Sequence, residues 1–130
     1  MTESKGIRVK VYRNLHKGCY SVVAMEGPQK GRVIAHEKRL MLTNATFHVS
    51  EAGRQRVLQE QRKNVHATIR GNLVTDSKPM VENLKGDINV VTYNPYKKGS
   101  FFMKHKESVD VKSADQVYFG IQNVLATGVK

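Results

Sequence analysis

Cysteine is almost missing from this chain: Cys19 is the only one, so neither an internal disulfide nor a cysteine-cluster zinc site can form. Long apolar runs are missing too. The longest is Val22-Val23-Ala24-Met25, far short of the ~20 residues that a membrane-spanning helix needs. Met1 to Gly6 contains no apolar stretch of the secretory kind, and the expectation is a cytoplasmic protein with no membrane partner. The phosphate-cradling loop Gly-x-x-x-x-Gly-Lys-Ser/Thr, the dinucleotide loop Gly-x-Gly-x-x-Gly and the hydrolase turn Gly-x-Ser-x-Gly are absent. His36-Glu37 is not continued to a second histidine, so the zinc-protease helix signature is absent as well. No cofactor and no metal are expected.

Acidic residues are scarce: 11 aspartates and glutamates face 22 lysines and arginines, a formal net charge of +11. The imbalance is local. Residues 1–70 hold fourteen cations against five acids, and residues 71–130 eight against six; all eight arginines lie in the first part. Arginine grips phosphate through two parallel hydrogen bonds and stacks on bases, so the asymmetry points to an anionic partner contacted mainly by the N-terminal half.

With 130 residues, 39% of them apolar and 25% charged, the chain suits one folded domain, residues 1–130. Ile7-Arg8-Val9-Lys10-Val11-Tyr12 alternates apolar and polar side chains, the period of a half-buried strand. A turn at 14–18 and a strand from Cys19 to Met25 complete an antiparallel hairpin. Strands are expected at 32–36 and 40–49, the latter with a bulge at Thr43-Asn44-Ala45. Ser50 is placed to cap a helix over 51–63, with Val57 and Leu58 turned inward. Further strands are expected at 64–74, 88–93, 100–103, 109–111 and 116–125. The fold class is α+β: mostly antiparallel β, barrel- or sandwich-like, with one short helix near 51–63.

The chain echoes itself. Ile7-x-Val9-x-x-Tyr12, a basic turn ending Lys17-Gly18, then Tyr20, is followed by Leu40-x-Leu42-x-x-Ala45. Ile88-x-Val90-x-x-Tyr93, a basic turn ending Lys98-Gly99, then Phe101, is followed by Val109-x-Val111-x-x-Ala114. An internal duplication of 7–49 and 88–121 would give two related β units, with Lys17 and Lys97-Lys98 on equivalent tips.

The densest basic group is Arg54, Arg56, Arg62 and Lys63, with Arg39 before and Arg70 after, interleaved with glutamines that can bond sugar or base edges. Such a helix can lie along a phosphate backbone, and the turns around Lys17, Lys97 and Lys98 add lysine and a ring for stacking. The alternative is a solvated helix face and ordinary wet turns. His16, His36, His48, His66 and His105 read as structural or exposed. A metal-independent ribonuclease pairing His66 as general base with Arg70 is the enzymatic alternative.

Tyr12-Arg13-Asn14-Leu15-His16-Lys17-Gly18-Cys19-Tyr20-Ser21-Val22, with Arg62-Lys63-Asn64-Val65-His66-Ala67 and Tyr93-Asn94-Pro95-Tyr96-Lys97, resembles small uncharacterised accessory proteins encoded by tailed bacteriophages, over roughly Val9 to Phe119. The resemblance implies a viral accessory protein in the cytoplasm of the infected bacterium and donates no catalytic residue. The expected function is non-catalytic binding of DNA or RNA through a basic face. The alternative is inhibition of a host defence or nucleic-acid-processing complex, with a host or phage protein complex as partner; the small ribonuclease stands third.

Overall fold

A computed structural model describes residues 7–14, 17–60, 67–75, 78–93, 101–104, 106–121 and 123–130. Its elements are β1 (Arg8–Asn14), β2 (Cys19–Ala24), β3 (Val33–Glu37), β4 (Leu40–Val49), α1 (Glu51–Glu60), β5 (Ala67–Leu73), β6 (Asn89–Tyr93), β7 (Phe101–Met103), β8 (Lys106–Asp110), β9 (Ser113–Phe119) and β10 (Val124–Thr127). The ten strands form one antiparallel sheet in the order β3-β2-β1-β5-β4-β9-β10-β6-β7-β8. The fold is thus mostly antiparallel β with one helix, and the sheet is not closed into a barrel.

Alternation sorts the faces. In β1, Val9 and Val11 are buried while Arg8, Lys10 and Tyr12 stay partly exposed. β2 is buried at all six positions, and the Ser21 hydroxyl accepts from Asn14 Nδ2 at 3.0 Å and meets His36 Nδ1 at 3.1 Å. The β1–β2 turn is closed by Asn14: its side chain accepts from Lys17 N–H, its carbonyl accepts from Gly18 N–H, and Gly18 takes φ +64. Glycine, with no Cβ, enters that region at the lowest cost.

The bulge in β4 is where the residues place it. Asn44 has φ +50 and the β4–β5 register shifts between Thr43 and Thr46. The extra residue lets both Leu42 and Ala45 reach the core despite their three-residue spacing. Ser50 caps α1, its hydroxyl accepting from Gly53 N–H at 3.2 Å. The helix spans Glu51–Glu60, and the expected continuation to 63 lies outside the described residues. The strand expected at 64–74 is Ala67–Leu73, with 64–66 likewise outside.

The single strand expected over 116–125 is corrected to two. β9 ends at Phe119, the chain reverses, and Gly120 N–H donates to Asn123 C=O at 2.8 Å. A side chain at Gly120 would meet the Tyr118 ring at 3.0 Å and Asn123 O at 3.1 Å, so the tight reversal depends on glycine. Apolar residues on both sides of the turn concealed it from periodicity.

Two contacts fold the sheet over itself: Tyr20 of β2 packs edge-on against Phe119 of β9 at 5.2 Å, and Phe101 of β7 against Phe47 of β4 at 5.1 Å. They lie in one core with Val9, Val11, Leu42, Ile69 and Val117. Numbered within each half of the chain, the sheet order is 3-2-1-5-4 followed by 4-5-1-2-3. The second five strands repeat the first five in reverse about the β4–β9 ladder, where Ala45 pairs with Ala114.

Candidate functional site

Opposite the core, β1, β5 and β4 present a polar face whose cross-strand pairs form rows, because paired residues point the same way. One row runs Lys10–Arg70–Thr46–Ser113 and ends at the terminal Lys130, which exchanges backbone hydrogen bonds with Ser113. A second row runs Arg8–Asn72–Thr43–Gln116–Thr127. β1, β5 and β4 contain no acidic residue at all. Lys10 and Arg70 therefore sit directly opposite one another, an arrangement that costs stability in a sheet. Arg8 donates from Nη1 to Asn44 C=O at 3.0 Å, across the bulge. The Nε of Arg70 is buried and lacks a hydrogen-bond partner, at a cost of about 1–3 kcal/mol for a donor so placed.

His48 completes this group. Its Nε2 lies 2.8 Å from Thr46 Oγ1. Burial first, then the guanidinium groups of Arg70 and Arg8, hold its pKa below the ordinary imidazole value.

The far side of the same face is covered. Leu84 packs with Met41 and Tyr118, and Gln116 straps the 83–85 segment down by accepting from Lys85 N–H at 2.7 Å and donating to Asn83 C=O at 3.2 Å. The connection between β5 and β6 thus contains a buried leucine, Leu84, and a 3₁₀ turn, Val81–Asn83. Open basic face and covered apolar face meet between the two halves of the sheet.

The residues singled out from the sequence separate. Arg70 lies in the basic row, half-buried. Lys17 is exposed on the β1–β2 turn and Arg56 is exposed on α1. Strand direction brings that turn and the start of α1 to the same end of the sheet, since Asn14 ends β1 where Val49 ends β4 and Ala67 begins β5. Arg54 is not presented to solvent: its guanidinium clasps both carboxylate oxygens of Glu51, with Nε–Oε2 at 3.0 Å, and keeps little free surface. Arg39 stands apart, exposed between β3 and β4, where it lines an open cleft of about 360 Å³ with Val81, Tyr118, Ile121 and Leu125. Arg62, Lys63, Lys97 and Lys98 lie outside the described residues, as do His16, His66 and His105, including the His66 general base. Missed at the sequence level were Arg8, Lys10 and His48 as one group. The alternation of β1 already placed Arg8 and Lys10 on the polar side, but nothing local showed that β5 inserts between β1 and β4.

A sheet of this order with one basic face and no gathered metal ligands among the described residues gives a class by architecture alone; comparison with known proteins gives the lineage. The family described as Mycobacterium phage L5 gene 82 protein matches residues 2–127, and the chain belongs to it. The gene 82 protein of Mycobacterium phage L5 is 38% identical over 128 residues, covering 94% of this chain and 97% of that protein. No solved structure matches. Among the described residues no helix is long and apolar enough to cross a membrane.

Proposed function

We propose that this phage protein binds nucleic acid, without catalysis, on the outer face of β1, β5 and β4. The observation that carries the reading is the Lys10–Arg70 row flanked by Arg8 on three strands that hold no acid. Like charges placed side by side without a counter-charge are stabilised by a polyanion, whose phosphates release counterions as they are neutralised. Thr46, Thr68 and Asn72 offer donors beside them for sugar and phosphate oxygens. Tyr12 on β1 adds a partly exposed ring on which an unpaired base can stack. Arg56 and Lys17 extend the charge past the end of the sheet.

The test is fluorescence anisotropy of labelled single-stranded and duplex oligonucleotides at stepped salt. Three phosphate contacts give a log–log salt slope of about −2 to −3, and Lys10→Glu weakens binding to all sequences alike. Absence of binding at low salt, or binding indifferent to salt, overturns the reading.

A second reading, docking on a host or phage protein, is favoured by the exposed Ile121, Met80 and Val81, which are 53%, 46% and 39% accessible. Apolar side chains grouped beside a cleft suit a protein partner. It predicts that Ile121→Asp abolishes capture of that partner and leaves oligonucleotide affinity unchanged.

A further inference from the structure

At the corner where β1, β5 and the β4 bulge meet, two guanidinium groups and an imidazole share one patch of the outer face, on three strands that carry no acid. Arg70 is flanked by Lys10 on one side and Thr46 on the other, Thr46 contacts His48, and Arg8 reaches across to the carbonyl of Asn44 in the bulge. We propose that this corner is a phosphate seat whose occupation places a proton on His48, so that the face holds its ligand more tightly as the pH falls. The inference rests on the nucleic-acid reading for the source of the phosphate, a backbone phosphodiester.

The chemistry follows from the charges. Arginine binds phosphate through paired donors, and Arg70 Nε is a donor still lacking an acceptor. Arg8 has committed one nitrogen to Asn44 and keeps the remainder of its fork. In the free protein, burial and these two cations hold the His48 pKa below the ordinary imidazole value, which favours the neutral ring. A bound phosphate cancels the field of the same two cations and supplies an acceptor for an imidazolium N–H. The Thr46 hydroxyl donates to the neutral ring or accepts from the charged one, so the 2.8 Å contact survives the change.

The other charged groups around His48 come from three directions. Arg70 lies on β5, and Arg8 and Lys10 lie on β1. On the β9 side of β4 are Lys112, whose carbonyl accepts from Phe47 N–H, Asp115 and the terminal Lys130. His36, the other described histidine, belongs to β3 and is bonded to Ser21.

The sign is fixed by linkage. Affinity is greatest at pH below the free-state value of His48, falls as pH rises through its phosphate-bound value, and is level above that. The experiment measures anisotropy of a short labelled oligothymidine from about pH 5 to 8 at constant ionic strength, on the wild type, His48→Gln and His36→Gln. In parallel, the ring resonances of His48 are titrated with and without inorganic phosphate. The wild type and His36→Gln gain about tenfold more affinity toward acid than His48→Gln, the equivalent of a one-unit rise, while all three agree at the alkaline end. Inorganic phosphate raises the His48 midpoint. Oligothymidine binding with equal pH slopes in the wild type and His48→Gln, and an unmoved midpoint, overturns the seat while the nucleic-acid reading stands. A raised midpoint without oligonucleotide binding supports the seat and overturns that reading. An unmoved midpoint without binding overturns both.

Discussion

Tyr20 carries three interactions that no local pattern encodes. Its hydroxyl donates to Gly120 C=O at 2.8 Å, its ring meets Phe119, and the Arg13 guanidinium lies 5.1 Å from the ring centre. Burial pushes the phenol pKa above its ordinary value, against the opposing pull of Arg13. Tyr20→Phe keeps the ring and strands a buried carbonyl, which costs about 1–2 kcal/mol in urea unfolding at neutral pH. The raised phenol adds a pH signature: its contribution is complete below the unfolded-chain value near 10 and is lost as pH rises through the folded one. Alkaline destabilisation is therefore shallower in Tyr20→Phe, and an unchanged urea midpoint would show that the hydroxyl bond contributes nothing. At this scale the sequence was informative where side chains act locally. Ser50 capped the helix it precedes and Asn44 made its bulge. It was silent where they act across the fold, as the Tyr20 hydroxyl does on Gly120; the clasp of Arg54 by Glu51, three residues away in the same helix, is a local pair that the basic reading of the helix passed over.

β5 decides the site, because it separates β1 from β4 and puts Arg70 between Lys10 and Thr46. Its inner face is tight. A Cβ added at Gly71 would sit 3.0 Å from both Leu42 Cβ and Thr43 O, atoms close to or within the backbone that cannot swing away. Gly71→Ala thus forces β4 and β5 apart and destabilises the protein by about 1–3 kcal/mol, read by thermal unfolding. A neutral or raised midpoint would mean that the ladder yields freely there. The alternation of β1 was legible because one face is wet. β2 offered no alternation, since both its faces are covered, and only its apolar run marked it as a strand. Periodicity describes one strand at a time. The insertion of β5 beside a strand 60 residues earlier is a property of pairing, and so the basic row that depends on it could not be read from the chain.

At the scale of the whole molecule, the mirrored strand order and the paired aromatic contacts make one arrangement. The second strand of each half lays an aromatic ring on the fourth strand of the other: Tyr20 on Phe119 and Phe101 on Phe47. We propose that a duplicated five-strand unit underlies it, one strand longer in each half than the duplication of 7–49 and 88–121 expected from the repeated Leu-x-Leu-x-x-Ala and Val-x-Val-x-x-Ala segments. The charge does not follow the symmetry, because the polar face is open and basic beside β1 and β5 but covered by Leu84 beside β9 and β10. Two halves that clasp each other reciprocally cannot unfold separately without breaking both ring pairs and the β4–β9 ladder. Urea unfolding followed by tyrosine fluorescence and by far-ultraviolet circular dichroism is therefore expected to give one coincident transition. Phe101→Leu and Phe119→Leu each remove one ring pair, worth about 0.5–1.5 kcal/mol beyond burial, and each shifts both probes together by a similar amount. Separated transitions, or a shift confined to one probe, would show that the halves are independent and that the mirrored order is coincidence of topology.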